Sequence, residues 1–342
     1  MTLYSRVREL PLTVESYRLE TEAVDVSPDF VRKTTVVRLQ GSGHEGVGED
    51  VTYDPTAHEA LAATDPSLPL TGSWTLQSLS SHLDTVPLWD EEPRWPASRE
   101  YRRWAYESAA LDLALRQNGL SLADAVERRP EPVTFVVSPR SAIREWLEVY
   151  PCIRFKLDAG DDWDEETVAG LAASGAVLTV DLKGHYRGTP VDLDADAALY
   201  RRVAEGFPQA WIEDPWLTEE TDAVLRAHRD RITWDAPIHS VADVESLPFP
   251  PRALNCKPSR FGTLQRLFDF YDYTTQRGIA LYGGGQFELG PGRGQIQLLA
   301  SLFHSGGPND VAPVAYNVEG PRPGLPTSPL TVTPDAVGFR TL

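Results

Sequence analysis

Past Pro130 the chain alternates short apolar runs with helical stretches, and nothing else in the sequence constrains the fold as much. The runs are Val133–Val137, Ile153–Leu157, Val177–Leu182, Ala210–Ile212, Ile232–Trp234, Ala253–Cys256 and Ile279–Tyr282. Between them lie stretches such as Thr263–Arg277, where Leu264, Leu267, Phe268 and Tyr271 fall on one helix face. Strand–helix–strand alternation predicts a parallel sheet, because parallel neighbours need a crossover connection. Seven runs in succession, with an eighth around Val311–Tyr316, predict a closed barrel rather than an open sheet.

The first 55 residues read differently. Thr34–Leu39 is rich in β-branched residues, and Gly41-Ser42-Gly43 turns the chain toward Val47–Tyr53, which predicts a hairpin. Residues 55–120 read as helical, with Trp104, Ser108, Leu111 and Leu115 on one face and Asn118-Gly119 as a stop. The expected organisation is an α+β segment over 1–128, a barrel over 129–316 and a Pro-rich tail over 317–342 that packs back on the N-terminal segment.

Composition narrows the function. Lys plus Arg is 32 against 50 Asp plus Glu, a net charge of −18, so the chain has no basic excess with which to hold nucleic acid or an anionic membrane. Apolar residues at 41% with 24% charged residues describe an ordinary globular protein. Two cysteines, Cys152 and Cys256, form no disulfide framework and suit a reducing compartment. Neither a signal-peptide core nor an 18-residue apolar stretch is present, so a cytoplasmic protein is expected.

Ionisable residues recur at the ends of the apolar runs: Lys156, Asp181, Glu213, Asp235 and Lys257. Their spacings of 25, 32, 22 and 22 residues are each one strand–helix unit, so in a barrel all five point to the C-terminal mouth, where such folds place active sites. Three carboxylates crowded together need a positive partner. An all-oxygen ligand set suits a hard ion such as Mg²⁺. Lysines on the flanking strands would then face a substrate's α-carbon from two sides, and a Lys lowered toward ~7–8 by burial and a neighbouring cation can serve as a general base.

This run resembles the enolase superfamily, its muconate-lactonizing branch most closely, with mandelate-racemase-like relatives. That family has an α+β capping domain before a modified (β/α)7β barrel. Its pattern is Lys-x-Lys on strand two, metal-binding Asp, Glu and Asp on strands three to five, and Lys-Pro on strand six. The helix from Ala105 to Gly119 and the segment from Gly283-Gly284-Gly285-Gln286-Phe287-Glu288 through Leu302 also resemble family segments. The resemblance implies Asp181, Glu213 and Asp235 as ligands of Mg²⁺, with Mn²⁺ as an alternative, and Lys156 and Lys257 as the acid/base pair. It implies a small-molecule carboxylate substrate, an enolate held by the metal, and an isomerase or lyase outcome: cycloisomerisation, racemisation, epimerisation or dehydration. A homo-oligomer is expected. A substrate-choosing loop over the mouth would fall at Val24–Lys33.

Arg154 stands for the first Lys of Lys-x-Lys and is expected to keep its charge near the substrate; Glu288 either binds a substrate carboxylate or caps the next helix. His304 and Cys256 read as structural. Two departures bear on the chemistry. Asp181-Leu182-Lys183 replaces the family's Asp-x-Asn, and Asp235-Ala236 its Asp-Glu. Lys183 either enters the metal site, or reaches an anionic substrate group, or points to solvent. These departures sustain an alternative reading, a catalytically inert barrel that binds a metal or a carboxylate. Dipeptide epimerases of the family carry Asp-x-Asp on the last strand, where this chain has Asn309-Asp310-Val311, which argues against that substrate. Phe135-Val136-Val137-Ser138 lacks the His-x-His of a zinc hydrolase barrel.

Overall fold

In the computed structural model, which describes residues 1–27, 30–64, 67–139, 142–189, 191–318 and 320–342, the N-terminal part builds five strands: β1 (Pro11–Val14), β2 (Ser16–Ser27), β3 (Phe30–Gly41), β4 (His44–Asp50) and β5 (Gly72–Thr75). Strands β2, β3 and β4 form an antiparallel sheet, and β1 pairs with β5. Ser42 and Gly43 take φ of 49° and 75°, the two positive values that a tight hairpin needs to match strand twist. The long helix Ser98–Gln117 packs on β4. The approach is close enough that a Cβ at Gly48 would lie 2.0 Å from the Ala105 carbonyl oxygen. The stretch read as helical holds Pro55–Thr64, Leu76–Leu83 and Ser98–Gln117, but β5 interrupts it.

The barrel strands are β6 (Phe155–Asp158), β7 (Val177–Asp181), β8 (Trp211–Glu213), β9 (Ile232–Thr233), β10 (Ala253–Cys256) and β11 (Ala280–Gly283), all parallel where they pair. Val133–Val137 forms the first stave through single bridges rather than a continuous ladder. Backbone hydrogen bonds close the ring. Val137 N donates to Arg154 O (2.8 Å), Asn255 N to Trp234 O (3.0 Å), Asp310 N to Gly283 O (2.8 Å) and Val136 N to Asn309 O (2.8 Å). The eighth stave is therefore Asn309–Asp310, earlier than the expected Val311–Tyr316. Pro313 has no N–H to give a ladder, and Ala315–Val318 turns helical instead.

Several outer helices begin with side-chain caps, as at Asp164 before Glu165–Ala172 and Thr263 before Leu264–Arg277. The C-terminal tail first exchanges two hydrogen bonds with the first stave, Leu330 with Val133 (2.7 and 2.8 Å). It then reaches the long N-terminal helix, where Phe339 N and Arg340 Nε donate to Asp112 (2.8 and 2.6 Å). In the stretch named as a mouth loop, residues 28 and 29 lie outside the described residues, and its flanks belong to β2 and β3.

Candidate active site

Alternation along the staves decides which side chains enter the barrel. Lys156, Asp181, Glu213, Thr233, Asp235, Asn255, Lys257 and Tyr282 are all buried, and their polar atoms meet. The intervening residues face the helices: Cys256 Sγ lies 3.6 Å from Tyr271 Oη, and Trp234 packs on Phe249 with centroids 5.0 Å apart.

Inside the mouth, cations and carboxylates interleave. Lys156 Nζ pairs with Glu213 Oε1 and lies 3.3 Å from Asp181 Oδ2. Lys183 Nζ lies 2.7 Å from Asp181 Oδ2 and 2.9 Å from Asp158 Oδ1. Lys257 Nζ is 2.9 Å from Asp235 Oδ2, and Arg260 reaches the same oxygen at 3.2 Å. Tyr186 Oη donates to Asp235 Oδ2 (3.0 Å) and accepts from Arg260 (3.0 Å). Tyr282 Oη and Asn255 Nδ2 both donate to Glu213 Oε2. Lys156 and Lys257 thus stand on the staves that flank the acids.

This interleaving moves the proton affinities. Burial raises the Asp181 carboxyl, but Lys183 and Lys156 outweigh it and hold it well below the usual carboxylate range. Burial likewise acts on Asp235, and Arg260, Lys257 and Lys156 overcome it. Glu213 goes the other way. Burial, aided by Asp181 and Asp235 against Lys156, pushes it up to about 7. For Lys156, burial alone would lower the ammonium, yet Glu213, Asp181 and Asp235 carry it well above its ordinary value. The expected lowering is thus reversed among these carboxylates, because the nearest charges to Lys156 are negative.

The structure brings Lys156, Asp181, Glu213, Asp235, Lys257 and Lys183 together. Arg154 is not among them: its guanidinium turns back to the carbonyls of Cys152 (3.0 Å) and Ile153 (2.9 Å) at the entrance of β6. Glu288 is buried with partners outside the acidic row, accepting from Gln286 N (2.6 Å) and pairing with Arg293 (3.1 Å). Lys183 does not continue an extended strand, since its φ is 52°. His304 is buried against Asn309 Oδ1 (2.7 Å), and burial lowers its imidazole to about 4.

The glycine-rich run around 290–294 receives the side chain of the protein's own Glu49. Its carboxylate accepts from the backbone N–H groups of Leu289, Gly290 and Gly292 at 2.7 to 3.1 Å.

Sequence reasoning missed Asp214, Asn255, Tyr186, Arg260 and Tyr282. Asn255 was within reach, two residues before Lys257 on one strand face. Asp214 stands beside the ligand row but spends both oxygens on the backbone N–H groups of Asp235 (2.8 Å) and Ala236 (2.9 Å), which fixes the end of the fifth stave.

The mouth fits a hard cation. Asp181, Glu213, Asp214 and Asp235 each offer a carboxylate oxygen within 4.8 Å of the others, a buried group of acids found among the described residues. Asp235 Oδ1, Asn255 Oδ1 and Thr179 Oγ1 are buried without a hydrogen-bond partner. Orphaned buried oxygens are costly unless something positive meets them. Oxygen donors alone suit Mg²⁺ or Mn²⁺ rather than a softer ion.

The sequence model described as "Domain of unknown function (DUF8230) C-terminal domain" matches residues 129–318, and its N-terminal counterpart matches residues 5–125. No curated protein matches the chain. Among solved structures the chain is similar to a dipeptide epimerase from Methylococcus capsulatus complexed with Mg and the dipeptide L-Arg-D-Lys, with a TM-score of 0.68 and 19% identity over 97% of this chain and 100% of that one. It is similar to the muconate lactonizing enzyme from Pseudomonas putida, with a TM-score of 0.64 and 19% identity over 87% and 88% of the two chains. A member of the enolase superfamily from Listeria innocua gives a TM-score of 0.61 and 20% identity over 88% and 86%. These likenesses show the fold, a capping domain on a (β/α)7β barrel.

Proposed function

We propose that this chain, which belongs to the DUF8230 family and has the enolase-superfamily fold, removes a proton α to a carboxylate at the mouth of its barrel, with Mg²⁺ held by Asp181, Glu213 and Asp235. One observation carries the reading: three carboxylates from successive staves lie between two buried lysines, Lys156 and Lys257. The fold alone would not carry it, because one fold hosts many activities.

Bound there, the ion would supply positive charge to the substrate's carboxylate oxygens as the α-proton leaves. The rest falls to the chain. Lys156 and Lys257 approach the α-carbon from opposite sides and take or return the proton, Lys156 once a cation among the acids offsets the negative charge that otherwise raises it. Arg260 and Tyr186 hold Asp235 in place. Tyr282 and Asn255 orient Glu213 through its second oxygen. Gln286, past the seventh stave, donates to Tyr101 of the long capping helix (3.0 Å), which ties the cap to the barrel.

The outcome, isomerisation or elimination, depends on groups beyond this core. A dipeptide is not the substrate we favour, because Asn309 is committed to Gly283 N, His304 and Thr134 O, leaving Asp310 alone to meet an amino group. We further infer a reducing compartment, in line with free cysteines at 152 and 256, and a homo-oligomeric assembly. Among the described residues no helix is long and apolar enough to cross a membrane.

Solvent exchange tests the reading. The chain with Mg²⁺ and a panel of carboxylic acids in D₂O should place deuterium at the α-carbon of at least one acid, followed by mass spectrometry. Lys156→Ala and Lys257→Ala should each slow exchange by about 10²-fold or more. Exchange that survives in the double variant, or in excess chelator, would sink it. A panel without any exchange would favour the inert carboxylate-binding barrel.

A further inference from the structure

Lys183 holds an unusual position at the acidic row. It follows β7 at a left-handed φ of 52°, a backbone shape that suits Asn or Gly and strains a residue with a long side chain. Strain of this kind persists where the surroundings enforce it. Here the enforcement is visible. The Lys183 backbone N–H donates to Asp181 Oδ1 (2.9 Å), and its ammonium meets Asp181 Oδ2 (2.7 Å), Asp158 Oδ1 (2.9 Å) and the face of Tyr186 (4.9 Å).

The two acids it bridges differ. Asp158 and Asp181 are register neighbours at the ends of β6 and β7. Asp181 belongs to the group that can surround a cation, and its side chain is fully buried. Asp158 lies outside that group at the rim, with its side chain 57% exposed. Asp181 Oδ2 carries two ammonium groups, Lys183 and Lys156, while Oδ1 is held by backbone. A divalent ion in the mouth must therefore take Asp181 from a lysine.

We propose that Lys183 is a competing internal cation that sets the metal affinity of the site. It yields Asp181 to the ion by moving its ammonium onto Asp158, which is already within ion-pair distance. The proposal rests on the metal reading given above and adds a residue pair that tunes it. It makes two effects of opposite sign: losing Lys183 helps the ion, and losing Asp158 hinders it by leaving the ammonium only Asp181.

Calorimetric titration of MgCl₂ into the full chain decides the matter, using the parent, Lys183→Asn, Asp158→Asn and the double variant. Asn suits the left-handed backbone at 183; a cooperative thermal melt confirms that it folds, and Lys183→Gln serves as a second variant. Lys183→Asn should tighten Mg²⁺ by about tenfold, the scale of removing one nearby like charge in a partly buried site. Asp158→Asn should weaken it by about threefold or more in the parent, and by less in the Lys183→Asn background. Equal affinity of the parent and both position-183 variants would overturn the proposal, and so would an Asp158→Asn effect of the same size in both backgrounds. If the parent binds and these patterns fail, only the role of Lys183 falls. If none of the variants binds Mg²⁺, the metal reading falls with it.

Discussion

Two regions of this molecule bury charge, and they do so in opposite ways. At the seam between cap and barrel, Arg32 is wholly buried, yet its guanidinium donates to the carbonyls of Val51, Thr52, Gln286 and Phe287. Glu49, on the neighbouring strand β4, is spent on the backbone N–H groups that open the helix Pro291–Phe303. These two charges are met by fixed backbone dipoles. At the mouth, charges meet other charges, and Asp235 Oδ1, Asn255 Oδ1 and Thr179 Oγ1 meet nothing. Charges met by backbone hydrogen bonds hold a structure together, and carboxylates crowded at neighbouring strand ends offer oxygen ligands to a cation. The seam is therefore read as structure and the mouth as function.

Substitutions at the two regions should separate the same way. The largest effect on stability is expected at the seam. Arg32→Met strands several buried carbonyls and should cost about 3 kcal/mol, which thermal or denaturant unfolding would register. Its Mg²⁺ affinity while folded should stay within about threefold of the parent, the spread expected for distant sites. A strong loss of Mg²⁺ binding in folded Arg32→Met would break the distinction. A smaller and opposite pattern is expected from Gly284→Ala. A Cβ there would lie 2.7 Å from Lys257 Cε and 2.9 Å from Asn255 Oδ1, so the lysine must shift. Proton exchange should fall by about tenfold with metal binding intact, since a displaced catalytic group loses rate before the fold loses stability. Unchanged exchange would mean that Lys257 has room to spare and that its placement is not critical.

Much of this was legible in the sequence. The alternating runs place the staves within a few residues, because each must be apolar to be buried between helices and core. The acids at the run ends mark the mouth because the side-chain period along a strand is two. The failures have physical causes. The last stave pairs through single bridges and is short, so Asn309–Asp310 carries little strand pattern, and the apolar Val311–Tyr316 drew the eighth stave too late. Arg154 shares a strand face with Lys156 by periodicity, but carbonyls at the strand entrance capture its guanidinium. Tyr186 comes from a loop and Arg260 from the single turn Pro258–Phe261, both too short for a periodic pattern. The one trace of Tyr186 is the 32-residue spacing from Asp181 to Glu213, the longest in the series, which leaves room for its loop. Lys183 stands out in the sequence as a departure, but the left-handed turn and the neighbouring Asp158, on which its proposed role rests, are not visible there.

The central claim is that the mouth is built for a divalent cation. Glu213→Gln tests it most directly, because the change keeps the shape of the side chain and removes one charge from the row. Titration of Mg²⁺ into the parent should give saturable binding, and Glu213→Gln should weaken it by at least about tenfold, the effect of one lost ligand charge at close range. A parent that does not bind Mg²⁺, or a Glu213→Gln variant that binds it equally well, would contradict the account.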